Sequence, residues 1–153
     1  MKAFYSLIIF SILVTSSNLM GEKNLNDASH KIFLNEIQHE LKIFRIDYDQ
    51  KGASIHQSFN NSILSINISS RRNNFEEVIM LSLGVIGKFL ANRINEAVIT
   101  KTRLFIPTVV EVNCNAPFSR EEINILTSLD SKILIQFGNG HISALELWSV
   151  AKN

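Results

Sequence analysis

Apolar residues recur at three- and four-residue steps between positions 27 and 44. His30, Phe33, Leu34, Ile37, Leu41 and Phe44 make one stripe, while Glu36, His39, Glu40 and Lys42 take the other faces. That period predicts a helix over 27–44, with Asn26 or Asp27 accepting a bond from an orphan amide at its start. Period two follows. Arg45–Asp49 alternates until Gln50–Gly52 breaks it, and Ser54–Phe59 and Ile63–Ser69 flank Asn60-Asn61. Asn tolerates positive φ better than most residues, so a hairpin turn is expected there. Ile66 and Ile68 fall on one side and Asn67 on the other, as in a half-buried strand.

A second helix is predicted from Phe75 to about Ile94. Asn73 or Asn74 suits its cap, and Glu76 and Glu77 suit the positive end of its dipole. Its middle, Val78–Leu90, is apolar on nearly every face and so demands cover on more than one side. Gly84 and Gly87 each cost about 1 kcal/mol relative to Ala in a helix interior. With Ala91 they form a small-residue face, fitted either to close packing within the domain or to a subunit contact. Gly84, Gly87 and Ala91 are therefore the candidate partner-contact residues.

Beyond this helix, Ala97–Phe105 and Val109–Ala116 read as strands separated near Pro107. Val110, Val112, Cys114 and Ala116 share one face of the second. Ser119 and Glu122 have capping-box spacing, which predicts a helix through about Leu129. Lys132–Phe137 fits either a short strand or a helix stopped by Gly138, and Gly138-Asn139-Gly140 is a turn in both cases. Ser143–Ala151 reads as a last short helix with Ala144 or Leu145 and Trp148 facing inward. The expected fold class is α+β: a single domain with an antiparallel sheet of about four or five strands and helices packed mainly on one face.

The start of the chain obeys another logic. Lys2 precedes the uncharged apolar run Ala3–Val14, and Thr15–Gly21 is small and polar. That order is what an export signal needs, and the run is shorter than the roughly 20 residues of a spanning helix. Residues 1–21 are read as a cleaved signal, cut after Ser17 or Gly21. Residues 22–153 are read as the domain, and the expected location is periplasmic or secreted. No stable membrane span is expected after cleavage.

Composition narrows the chemistry. The 153 residues carry 15 Lys+Arg against 14 Asp+Glu, a net charge of +1, which gives no electrostatic case for nucleic acid. Cys114 is the single cysteine, so no internal disulfide holds an exported form. Its inward place in a strand favours an inert thiol over a nucleophile. Glu36 and His39 have Glu-x-x-His spacing, but a carboxylate-bridged metal site needs a second copy. His30 sits at the edge of the apolar stripe, His56 in a strand and His141 beside a turn, each without a partner pattern. Gly84 and Gly87 lie inside a helix, where no free amides cradle phosphate. Asn60 and Asn67 head glycosylation sequons. No cofactor, metal site or catalytic residue is expected, and no motif ties the chain to a known family. The expected function is an exported non-catalytic module that binds a partner protein or itself. The alternatives are a small enzyme with a site assembled from distant residues, and a small-ligand carrier.

Overall fold

The alternating runs pair into one sheet, and a long helix sets the direction of its central strands. The computed structural model describes residues 28–49, 52–58, 61–101, 104–118 and 121–151. The export segment, Asn60 and Ser119 lie outside them. By packing, the chain divides after Phe33, with Leu34–Asn153 as the larger unit. Residues 28–33 are helical; in the larger unit the first element is α1 (34–43), where Ile37 and Leu41 are buried.

The remaining elements are β1 (Ser54–Ser58), β2 (Asn61–Ser69), α2 (Phe75–Thr100), β3 (Val109–Phe118), β4 (Glu121–Asp130), α3 (Ser131–Gly138) and α4 (Ala144–Ala151). The fold class is α+β, with four strands in the order β1-β2-β3-β4. β1 and β2 form an antiparallel hairpin in which Ser58 faces Asn61. β3 and β4 are antiparallel too. β2 and β3 run parallel, so the sheet is mixed, not the antiparallel one expected. The cause is α2. At 1.5 Å per residue, its 26 residues span about 39 Å, enough to carry the chain back to the end where β2 began.

One face of the sheet is apolar. Leu64, Ile66 and Ile68 of β2 lie beside Val110, Val112 and Cys114 of β3, and Thr127 and Leu129 continue the row on β4. α2 touches this layer along β3 and touches α3 elsewhere. That double cover answers the apolar excess of Val78–Leu90: Ile79, Leu83, Val85, Ile86 and Leu90 are all buried. The opposite face is polar, with Ser65, Asn67, Glu111 and Asn113 half-buried along its middle and Asn113 donating to Asn67 Oδ1 at 3.2 Å.

Several local expectations change. The run Ala97–Phe105 is not a strand: α2 continues to Thr100, Lys101 closes it in the left-handed region at φ 53°, and 104–107 is irregular. The helix expected from Ser119 to Leu129 is β4, because Ile123, Ile125, Thr127 and Leu129 alternate and pair with β3. Arg45–Asp49 contributes one bridge, Tyr48 to Ile68. The open choice at 132–137 resolves to helix, with the Asp130 side chain accepting from Lys132 N at 2.7 Å. In α4 the buried residue is Leu147, while Leu145 is 82% exposed. No helix of the described residues is long and apolar enough to cross a membrane.

Candidate functional site

The small-residue face of α2 has a neighbour within the chain. A Cβ built on Gly87 would stand 2.5 Å from the Leu134 carbonyl oxygen of α3. One built on Gly138 would stand 2.3 Å from the Gly87 carbonyl oxygen. The two helices cross backbone on backbone, which only glycine permits. A Cβ built on Gly84 would stand 3.3 Å from Phe137 Cε1, and Ala91 is buried. Packing by α3 accounts for both glycines, so a partner at Gly84, Gly87 and Ala91 would have to displace it.

The residues with potential chemistry are spread out. Cys114 is fully buried in β3, and its thiol donates to Ser70 Oγ at 3.3 Å. Burial pushes that thiol above its ordinary value, and the Ser70 contact lowers it in part. A protonated, shielded thiol is a poor nucleophile. His56 lies on β1 with its Nε2 3.0 Å from Ser54 Oγ. His141 sits after α3, and His30 lies on 28–33. His39 borders a cleft of about 460 Å³ with Glu36, Glu40, Phe89 and Glu96, and Glu36 accepts a charged hydrogen bond from Arg93. Glu36 and His39 are exposed, so this salt bridge lies on a solvated helix face. Among the described residues, no three His, Cys, Asp or Glu side chains are placed to hold a metal ion.

A polar cleft of about 350 Å³ opens where β2 passes into α2, lined by Arg45, Asp47, Ser69, Ser70, Arg71 and Asn74 among others. Asn74 is the N-cap, but its Oδ1 accepts from Arg71 N at 2.9 Å and not from a helix amide. Two guanidinium groups there could hold an anion, but Asp47 in the lining, together with Glu76 and Glu77 in the first turn, opposes one.

The sheet edge at β4 is a different kind of feature. β4 bonds to β3 alone, in an unbroken register from Val109↔Asp130 to Phe118↔Glu121. Which backbone groups face outward follows from one bond. The Asn115 carbonyl accepts from Ser70 N, on the β2 side of β3. Backbone groups alternate sides along a strand, so Val110, Val112, Cys114 and Ala116 bond to β4, through Leu129, Thr127, Ile125 and Ile123. The amides and carbonyls of Glu122, Asn124, Leu126 and Ser128 therefore point away from β3. They meet no backbone group elsewhere among the described residues. Leu126, on the polar face, is 63% exposed.

Natural edges are blunted by Lys, Pro, a bulge, shortness or a covering element. β4 is ten residues long and has no Lys, no Pro and no bulge, and its seven residues Ile123–Leu129 are uncharged. The edge at β1 is five residues of mostly polar character. Periodicity alone could not flag β4, because Leu126 interrupts its alternation. Comparison with family models, curated proteins and solved structures finds no match for this chain.

Proposed function

We propose that this chain is an exported, non-catalytic module that binds protein by accepting an additional strand along β4. The observation that carries the reading is the outward row of backbone groups at Glu122, Asn124, Leu126 and Ser128, beside an exposed Leu126. Strand addition draws affinity from main-chain hydrogen bonds and specificity from alternate side chains. Export rests on the charge, apolar run and small polar residues of 1–21.

Site-specific photocrosslinking in the native host tests it. A photoreactive residue at Asn124 or Ser128 should form protein adducts, and one at the exposed Lys88 of α2 should not. Absence of adducts at both β4 positions, or equal yields at Lys88, would refute the reading.

A further inference from the structure

We infer that the occupant of the β4 edge is a second copy of this chain, paired antiparallel about a two-fold axis at Ile125. The inference rests on β4 being the binding edge. Paired residues of an antiparallel ladder point to the same face, so a continuous sheet requires even positions opposite even positions. Two central registers satisfy that condition. With Leu126 opposite Leu126 of the partner subunit, Glu122 falls opposite Asp130 of the partner subunit, and the symmetry repeats the clash. Like charges directly opposite are destabilising.

Shifting the axis to Ile125 removes the conflict. Glu122 then faces Ser128 of the partner subunit, and Asn124 faces Leu126 of the partner subunit. On the core side Ile125 meets Ile125 of the partner subunit, and Ile123 meets Thr127 of the partner subunit. The half-buried Ile123 and Ile125 gain apolar cover, and the two exposed Leu126 side chains become diagonal neighbours. The segment Ile123–Leu129 is thus complementary to itself, with its acidic residues Glu121, Glu122 and Asp130 all outside that stretch. The outward amides and carbonyls of both copies pair, joining the two four-stranded sheets into one.

Sedimentation equilibrium of the mature protein across a concentration series tests this. The expected result is a concentration-dependent dimer. Ser128→Glu sets a carboxylate opposite Glu122 of the partner subunit and should weaken association roughly 5- to 30-fold. Adding Glu122→Lys should restore it, while Glu122→Lys alone should have little effect. Both positions are exposed, so the fold should survive, as circular dichroism would verify. A monomer at all concentrations, or a dimer indifferent to Ser128→Glu, overturns the inference. A monomer that still crosslinks to another protein at Asn124 would sink the second copy and leave the binding edge standing. A monomer with no such adduct would sink both.

Discussion

Replacing Gly87 with Ala should destabilise the fold, although the same change at Gly84 should not. Both residues sit inside α2, where Ala is favoured over Gly by about 1 kcal/mol. At Gly87 the new Cβ would lie 2.5 Å from the Leu134 carbonyl oxygen and 3.2 Å from its carbon. Those are backbone atoms, so α3 must retreat by roughly 1 Å to reach ordinary van der Waals separation. That retreat opens the contact around the buried Leu134 and lifts Gly138 from Gly87. Overpacking of this kind costs about 1–3 kcal/mol, and a rigid backbone neighbour places it at the upper end. The net expectation is a loss of about 1–2 kcal/mol. At Gly84 the nearest atom is Phe137 Cε1 at 3.3 Å, on a half-buried ring able to shift by a few tenths of an ångström. There the propensity gain survives, and the net effect is about 0 to 1 kcal/mol of stabilisation. Urea unfolding of the two variants beside the wild type would read the difference as opposite shifts in midpoint at constant slope. Equal shifts, or a Gly87→Ala variant more stable than Gly84→Ala, would refute the claim that α3 crosses α2 at this point.

Ser131 Oγ is buried with no hydrogen-bond partner, so Ser131→Ala should raise stability by roughly 1 kcal/mol in the same assay, and destabilisation would mean that the hydroxyl is satisfied. The shielded Cys114 thiol should react slowly with a thiol reagent in native protein and rapidly in denaturant; fast native labelling would refute its burial. Because burial raises its folded value, the folded state holds the thiol proton more tightly than the unfolded chain does. Stability from this group is complete below the ordinary thiol range and falls as pH rises through the folded value, a loss that Cys114→Ala should lack in alkaline unfolding curves. Mass spectrometry of the protein from its native host should find an N-terminus between about Thr15 and Lys23; intact Met1 in a cytosolic fraction would refute export.

The sequence carries the two long elements and the central strands because their signals are redundant. In α1 the buried Ile37 and Leu41 lie on the stripe that predicts the helix, and in β3 strict alternation marks Val110, Val112, Cys114 and Ala116 as core. Local patterns without that redundancy mislead. Ser119 and Glu122 share the capping-box spacing of Ser143 and Glu146, but only the second pair caps a helix. There Glu146 accepts from Ser143 N at 2.7 Å and from Ser143 Oγ at 2.8 Å, and those bonds hold its carboxyl below the usual range. The spacing at Ser119 precedes a strand because ten paired residues of β3 outweigh one local cap. The glycines of α2 announce a close approach but cannot name the neighbour, since 132–137 is compatible with strand or helix until α3 is seen against Gly87.

The misread segment and the proposed function meet at one residue. Leu126 interrupts the alternation of 121–129, and in the folded chain it is an apolar side chain on the polar face of an edge strand. A single exposed leucine is ordinary on a protein surface. Its setting is what gives it weight. The amides beside it point outward, the strand around it lacks Lys, Pro and a bulge, and the acidic residues stand outside the Ile123–Leu129 stretch. An edge left open in this way is a template for pairing. The small-residue face of α2 prompted the binding reading but is packed by α3. A ligand at the β2–α2 cleft would face Asp47 as well as its two arginines. Among the described residues, the outward backbone groups of β4 bond to no other element, so accepting a strand breaks no existing backbone hydrogen bond. Leu126→Pro therefore separates the possibilities most directly, since Pro is tolerated on an edge where the lost N–H faces outward. It should abolish association while leaving the β3–β4 ladder bonded; full association by this variant would show that the strand edge is not the binding surface.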